Sequence, residues 1–557
     1  MRKQLLALLI GISLLSGTAV SKACTNFLIT PGASTDGSSM ITYAADSHTL
    51  YGALHLQPAA DYQEGEVVNI IEQDTGKPLG QIPQVSHTYH VVGNMNEFQV
   101  AIGETTFGGR KELQSQAQAI MDYGSLMWLA LQRSKTAREA IQVITDLVAR
   151  YGYASSGESF SISDPNECWI LEMIGKGESE LGAVWVAYRI PDGYISGHAN
   201  QARITQFPMN DPENCIYSKD VISFAIENGW FNGKNKEFSF ADVYAPIDFE
   251  AARFCEARVW SGFNKVNSEM GQYMDYATGQ IEYDEKGYPS NRFPLWIKPD
   301  ARLSVQDVMD MMRDHYEGTK LDMTNDPGAG PYKLPYRWRP LTWQVDSIEY
   351  CNERAISTQQ TGFSFVAQSR SNFANEVGGV LWFGVDDTYS TCYTPLYCCM
   401  QEVPQCFMPD NGDMLTFSNS SAFWIFNMVS NFTYLRYDIM IEDVKKVQSE
   451  LETRSLEWQP AMEMAAVSLI NSGKKERAIE LLSDYSVNQA NNMTQRWKQL
   501  FRYLLVKYKD GNVMKEENGE FKRTKYNLPP SPFQPGYPEW WYQSIINHTG
   551  DHHKIRK

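Results

Sequence analysis

Positive charge is the first thing this chain is short of. Its 557 residues hold 49 Lys and Arg against 66 Asp and Glu, a formal net charge of -17. Binding to a phosphate backbone needs a basic surface, so nucleic acid is excluded as a partner. Long apolar runs are missing as well. A membrane-spanning helix takes roughly 20 apolar residues, and beyond the first turns of the chain the apolar stretches, such as 379–384, are short and interrupted; the mature chain is expected to carry no membrane span. The nine histidines include no H-E-x-x-H, and His87 and His90 sit in a strand-like run that makes them structural. The nine cysteines include no paired C-x-x-C, so the tight group Cys392, Cys398, Cys399 and Cys406 lacks zinc-site spacing. No metal and no cofactor are expected. Internal repeats and low-complexity linkers are absent too, which argues against a solenoid or a string of loosely tethered modules.

What is present is a large apolar store, 43% hydrophobic and 12% aromatic residues, enough for one large or two ordinary domains. The chain opens Met1-Arg2-Lys3 and runs through Leu5 to Leu15, a basic stub and a short apolar core with the architecture of a secretory signal. Ser21-Lys22-Ala23 then supplies a small-x-small cleavage site in front of Cys24. Residues 1–23 are read as a signal peptide and Cys24 as the new amino terminus, which places the protein outside the cytoplasm, periplasmic or secreted. Two other readings stay open at this point: lipoprotein processing, for which Lys22 is a poor fit, and cleavage after Ala19, which would leave Cys24 an ordinary strand residue. In an exported chain the other eight cysteines leave room for up to four disulfides, without implying a small disulfide scaffold.

Alternating residues after Cys24, the turn residues "PGASTDGSS" and the strand-like "MITYAADS" predict an N-terminal hairpin. A loop centred on Thr35 sets Cys24 opposite Asp46; a two-residue turn at Asp36-Gly37 pairs Phe27 with Asp46 instead. Either register keeps the Asp46 carboxylate within roughly 10 Å of the new terminus. Further strands are expected in "VSHTYHVVGNMNEFQVAIGETTF", "ESFSISDPNECWILEMIGK" and "VWVAYRIPDGYISGHANQARI". Apolar residues three and four apart predict a helix over 123–150, and a second helical block spans 437–508. The stretch "NLPPSPFQPGYPEWW" is read as an extended, wrapping tail.

A cysteine whose own amino group is free carries a nucleophile and a base on one residue. The α-amine titrates near pH 8 and the thiol near 8.5, so the amine can take the thiol proton around neutrality without a histidine. Cleavage at Ala23 would then be the activating step.

Cys24-Thr25 at the head of a strand, "YAADS", "NMNEFQVAIGETTF", "DGYISGHANQARI", "FEAARFCEARVW", "MMRDHYEGT" and "ERAISTQQTGFSFVAQ", in this order, resemble the N-terminal-nucleophile cysteine dipeptidases, relatives of penicillin V acylase and bile salt hydrolase. The resemblance spans residues 24–430. It implies an α+β fold, a four-layer αββα sandwich of the N-terminal-nucleophile hydrolase type over 24–430; the helical block and Pro/aromatic tail read above then form a C-terminal helical extension over 431–557. It implies a cysteine-type dipeptidase: Cys24 as nucleophile, Asp46 holding the α-amine, Asn200 as an oxyanion donor and Arg253 beside the cysteine. The substrate would be a small unblocked peptide, its ammonium met by Glu104 with Thr105 alongside. An acylase acting on N-acyl amides, or a catalytically inactive binding relative, are the alternatives. Self-association into a homo-oligomer stays open. One departure from the pattern stands out, since Tyr43 occupies the place where the relatives carry an Arg that lowers the thiol pKa.

Overall fold

The computed structural model describes residues 24–114, 116–178 and 180–556; residues 1–23, where a signal peptide is expected, lie outside the described residues. Strands β1 (Asn26–Ile29), β2 (Ser39–Asp46), β3 (Ala101–Phe107), β4 (Gly157–Ser163), β5 (Cys168–Gly175), β6 (Ala183–Arg189), β7 (Ile195–His198), β8 (Thr361–Ser369), β9 (Val380–Val385) and β10 (Thr394–Tyr397) form the bulk of two antiparallel sheets. The first runs Trp296–Ile297, β7, β1, β2, β8, β9, β10. The second runs Cys215–Tyr217, β6, β5, β4, β3, followed by the short strands Met95–Asn96, Val91–Val92 and Leu56–Gln57.

Both faces of each sheet are apolar, and the alternation of side chains sorts them into separate clusters. Leu28, Ile41, Tyr43 and Ala45 from the first sheet meet Ala101, Ile170, Ile174 and Val184 from the second. The intervening residues of the first sheet, Phe27, Ile29, Met40 and Ala44, lie against Trp260, Phe263, Val308 and Met312 of two later helices. On the second sheet Ile102, Phe160, Ile162, Trp169 and Leu171 are covered by helices α1 (Tyr123–Arg133) and α2 (Ala137–Tyr151). The later helices are α3 (Ala257–Val266) and α4 (Val305–Met312). The sheets approach closely at Gly103, where a Cβ would come within 2.7 Å of the Asn26 amide and 3.2 Å of the Tyr43 Cβ. Any larger residue at 103 would push Tyr43 and Asn26 away.

The hairpin of β1 and β2 takes a register one residue from the Thr35-centred expectation. Thr25 bridges Ala44 and Leu28 pairs with Ile41, which puts Cys24 opposite Ala45 with Asp46 next along the strand. The 3-10 turn Pro31–Ala33 takes up the odd residue. The single helix expected over 123–150 is two. It breaks after Arg133, where Thr136 caps a new helix by accepting from the Glu139 N–H while Glu139 accepts from the N–H of Lys135, the residue before the cap.

The C-terminal helical block comprises α5 (Ala422–Tyr434), α6 (Tyr437–Asn471) and α7 (Lys475–Lys507). Phe426, Leu451, Trp497 and Leu500 join the apolar cluster between the sheets, and Ala466, Leu482 and Tyr485 join the cluster under α3 and α4. These helices therefore share the core of the strands. The tail differs from the expected extended form, because "EWW" begins helix α8 (Glu539–Thr549) behind Pro538. No helix among the described residues is long and apolar enough to cross a membrane. All nine cysteines are free thiols, so none of the disulfides for which the sequence left room is formed.

Candidate active site

Cys24 stands at the head of β1, buried, with the Ala44 N–H donating to the Thr25 carbonyl at 3.1 Å to hold the strand end in place. Its Sγ lies 3.6 Å from Glu104 Oε1 and 3.8 Å from the Tyr43 hydroxyl. Burial pushes the thiol well above its ordinary pKa, and the nearby carboxylates of Glu104 and Asp46 push it the same way; the Asp46 backbone N–H and the Tyr43 hydroxyl oppose them. With its backbone nitrogen in a peptide bond, this cysteine is a neutral thiol.

Asp46 ends β2. One carboxylate oxygen accepts from Arg354 Nη2 at 2.5 Å and the other from Thr361 Oγ1 at 2.6 Å. Burial raises the Asp46 pKa, and Arg354, Thr361 and Arg258 work against that rise. Asn200 follows β7 in a left-handed conformation, φ +61°. Its Nδ2 donates one hydrogen to the Thr106 carbonyl at 2.6 Å, leaving the amide's second hydrogen for another acceptor.

An arginine that touches Cys24 is Arg258. From α3 its Nη1 donates to the Cys24 carbonyl at 2.5 Å and to Thr25 Oγ1 at 2.8 Å, while Nη2 donates to the Ala199 carbonyl at 3.1 Å and to Asn200 Oδ1 at 2.8 Å. One buried guanidinium thus ties the head of β1 to Asn200. Arg253, the arginine expected at this place, is elsewhere: its Nε donates to Glu353 at 2.7 Å and its Nη1 to the Thr278 carbonyl at 3.0 Å. Residues 251–256 form a π-helical turn ahead of α3, and five residues of helix rotate a side chain by about 140° even without it. Arg253 and Arg258 leave the helix on different sides.

Glu104 is buried on β3, and its Oε1 accepts from the Tyr43 hydroxyl at 2.5 Å. The side-chain amide of Asn26, turned so that its oxygen accepts and its nitrogen donates, spans the Glu104 N–H and C=O at 3.0 and 3.1 Å. This fastens β1 to β3 directly beside the thiol. Thr105, predicted to line the substrate site, is turned the other way by strand alternation, and its hydroxyl meets His198 Nδ1 at 2.7 Å. His198 is neutral there, because burial and then Arg203 drive its pKa down to about 3. Next to Tyr43 a cavity of about 100 Å³ is walled by Tyr51, His55, Tyr123, Phe363 and Phe383.

Cys24 and Glu104 are therefore in direct contact and Asn200 is tied to Cys24 through Arg258, with Asp46 one residue along β2 from the position opposite Cys24, whereas Arg253 and Thr105 are not among them. Arg258, Arg354 and Thr361 were missed, although all three lie inside the motifs "FEAARFCEARVW" and "ERAISTQQTGFSFVAQ". The available signal was an Arg embedded in an apolar helix face at 258 and one just ahead of a buried strand at 354. Chemically, the arrangement offers a thiol, an amide donor, buried guanidinium groups on one side and a carboxylate on the other.

Comparison with known proteins decides the family. Residues 23–450 match the model of peptidase family C69. The chain belongs to that family. A probable dipeptidase of Latilactobacillus sakei is 25% identical over 450 residues, covering 77% of this chain and 85% of that protein. One from Salmonella dublin is 24% identical over 396 residues, 67% of this chain and 81% of its own length, and a probable dipeptidase B of Streptococcus pyogenes serotype M1 is 23% identical over 408 residues, 70% and 74% respectively. The match to family C69 begins one residue before Cys24 and ends inside α6, so it takes in every residue of the site described above. The chain is accordingly a peptidase, and the relatives' names point to dipeptides.

Proposed function

We propose that this C69 peptidase is an exported dipeptidase, periplasmic or secreted, whose nucleophile is Cys24 at the amino terminus left by removal of residues 1–23. The layering of helices, two facing sheets and helices is read as the four-layer αββα sandwich of N-terminal-nucleophile hydrolases. One observation carries the catalytic reading: a buried thiol opens β1, with Asp46 beside it and Arg258 bridging its carbonyl to Asn200.

Freeing the α-amine adds a base within one residue of the thiol, and an ammonium there offsets the carboxylates that hold the thiol neutral in the uncleaved chain. The thiolate attacks the scissile carbonyl. Asn200, through its second amide hydrogen, and a backbone N–H stabilise the oxyanion; the protonated amine gives its proton to the leaving group, and water then hydrolyses the thioester. Tyr43, in place of the arginine of the relatives, contributes a hydroxyl near the sulfur and no charge, so the positive field comes from Arg258 and Arg354 behind it.

Substrate choice rests on Glu104. In an unblocked dipeptide the ammonium is two bonds from the carbonyl under attack, and a reacting carbonyl sits about 3–3.5 Å from its nucleophile. Glu104 Oε1 at 3.6 Å from Sγ falls in the zone that ammonium would occupy. An N-acyl substrate would set an uncharged chain against a buried carboxylate, which is costly.

The test has two parts. Mass spectrometry of the exported protein should find an unmodified Cys24 at the amino terminus, and a lipid-modified cysteine or a chain starting at Val20 would overturn the mechanism. The purified enzyme should cleave free dipeptides, with activity surviving a chelator, and act little on the same peptides N-acetylated, on penicillin V or on conjugated bile salts. Equal cleavage of acylated and free substrates would hand the site to the acylase reading.

A further inference from the structure

Behind Glu104 lies a second buried acid that the mechanism above leaves unused. On β4, Glu158 pairs across from Thr106 of β3, and Phe160 pairs with Glu104. Glu104 and Glu158 are thus diagonal neighbours on one sheet face, the spacing at which long side chains meet. Glu158 Oε2 accepts from Thr106 Oγ1 at 3.0 Å and from the Tyr153 hydroxyl at 3.3 Å. Glu158 Oε1 and Glu104 Oε2 are both buried and have no donor from any other group.

The groups around the two acids are the Thr106 hydroxyl, a thiol and phenols. Cys24 and Tyr43 face Glu104; Tyr153 faces Glu158; Tyr123, whose hydroxyl donates to Asp74 at 2.5 Å, and Asp122, held by the Ser125 and Gln73 N–H groups, lie at the start of α1. Burial pushes the Tyr43 and Tyr153 hydroxyls well above their ordinary range, so both stay neutral donors. Neither acid forms an ion pair with a Lys or Arg among the described residues. Two buried carboxylates at diagonal positions of one sheet face, with no cation paired to either, cannot both be ionised without cost, and the usual outcome is one shared proton.

We propose that Glu104 and Glu158 hold one proton between them, hydrogen-bonded from Glu158 to the free oxygen of Glu104, and that Glu158 is a positioning residue that sets the charge of the ammonium subsite at a single negative unit. Burial, and then the neighbouring Glu104, pushes the Glu158 carboxyl well above the usual carboxylate range, in the direction the contact requires. One negative charge matches one substrate ammonium. A second would go unmatched and would push the Cys24 thiol, already raised by Glu104, further from its reactive form.

This inference rests on the reading of Glu104 as the ammonium partner, and its test separates the two. Infrared difference spectra of the full chain, wild type minus Glu158→Gln, should show a protonated-carboxyl C=O band that persists from pH 6 to 8. That measurement needs no substrate. Absence of the band overturns the shared proton whatever Glu104 does.

The kinetic arm reads KM for a free dipeptide. Glu158→Ala leaves a buried Glu104 oxygen without its donor, so KM should rise about tenfold or more with a smaller change in kcat, and Glu158→Gln, which keeps an N–H donor at that position, should bring KM back to within about threefold of wild type. Equal losses in the Ala and Gln variants would overturn the positioning role. If the band is present but Glu104→Gln does not discriminate free from N-acetylated dipeptides, the ammonium reading fails while the shared proton stands.

Discussion

The two walls of the candidate site are electrically opposite. On one side of Cys24 three arginines gather around a single carboxylate: Arg354 and Thr361 hold Asp46, Arg258 reaches the Cys24 carbonyl and Asn200, and Arg339 stands close enough that burial and then Arg354 bring its pKa down to about 10. On the other side Glu104 and Glu158 are surrounded by Tyr43, Tyr153 and Tyr123, with a hydroxyl as the nearest donor in each contact. Buried charge is expensive unless paired, and each wall meets that cost differently. The arginine wall uses carbonyls and one aspartate as partners. The acid wall uses phenols, the Thr106 hydroxyl and, on our proposal, a shared proton. The thiol between them is raised by burial and then by a carboxylate from each wall, Glu104 and Asp46, so small changes on either wall should move its reactivity.

The largest effect should come from breaking the arginine wall. Removing one partner of a buried ion pair typically costs about 3–5 kcal/mol, because the other charge is left without compensation. Arg354→Leu should therefore lower unfolding stability by about that amount, measured by urea denaturation, and abolish turnover in whatever fraction still folds. A variant as stable as wild type would mean that Asp46 is already protonated in the folded chain and that the pair is not ionic.

A smaller but cleaner effect is expected at the link between the walls. Asn200 is bound on its oxygen by Arg258 and through one hydrogen by the Thr106 carbonyl, so the amide is oriented before substrate arrives. If its remaining hydrogen meets the oxyanion, Asn200→Ala should cut kcat by about 10² to 10³ with KM little changed. A changed KM with kcat intact would assign Asn200 to ground-state binding instead.

These contrasts also mark what could be read from the sequence. The alternation in "TNFLIT" and "MITYAADS" located a hairpin and brought Asp46 to the neighbourhood of Cys24, but the observed register sets Ala45 and not Asp46 opposite the thiol, the flip of face that a one-residue slip produces. The exact register depended on the turn Pro31–Ala33, and nothing in composition distinguishes a three-residue 3-10 turn from a longer loop. The break between α1 and α2 was written in Thr136-x-x-Glu139 but was masked by apolar spacing that runs straight through it. Arg253 was expected beside the cysteine from the resemblance of "AARF" alone, and the π-helical turn over 251–256, which shifts the helix phase, leaves no compositional mark that would have pointed to Arg258. Glu158 was legible in principle: in "ESFSIS" it falls on the same alternation as Phe160 and Ile162, both in the cluster under α1 and α2, and an acid in an apolar period signals a buried charge.

The acid wall allows the finest test, on stability rather than rate. The sign follows from where the proton sits. In the unfolded chain Glu158 ionises near pH 4.3, whereas in the folded chain burial and Glu104 keep its carboxyl protonated well above that. Above pH 4.3 the folded state therefore binds one proton more than the unfolded state, and this group's contribution to stability falls as pH rises, by up to about 1.4 kcal/mol per pH unit, until the folded carboxyl itself ionises. Glutamine has no proton to lose. The stability of Glu158→Gln minus that of wild type should accordingly be smallest near pH 4 and grow steadily between pH 5 and pH 8 in urea unfolding series at fixed salt. Glu104→Gln removes the like charge and should flatten the wild-type slope without removing it, since burial of Glu158 remains. A difference that stays constant with pH in the first variant would mean that Glu158 is ionised in the folded chain, and the acid wall would then carry two charges with only hydroxyls to hold them.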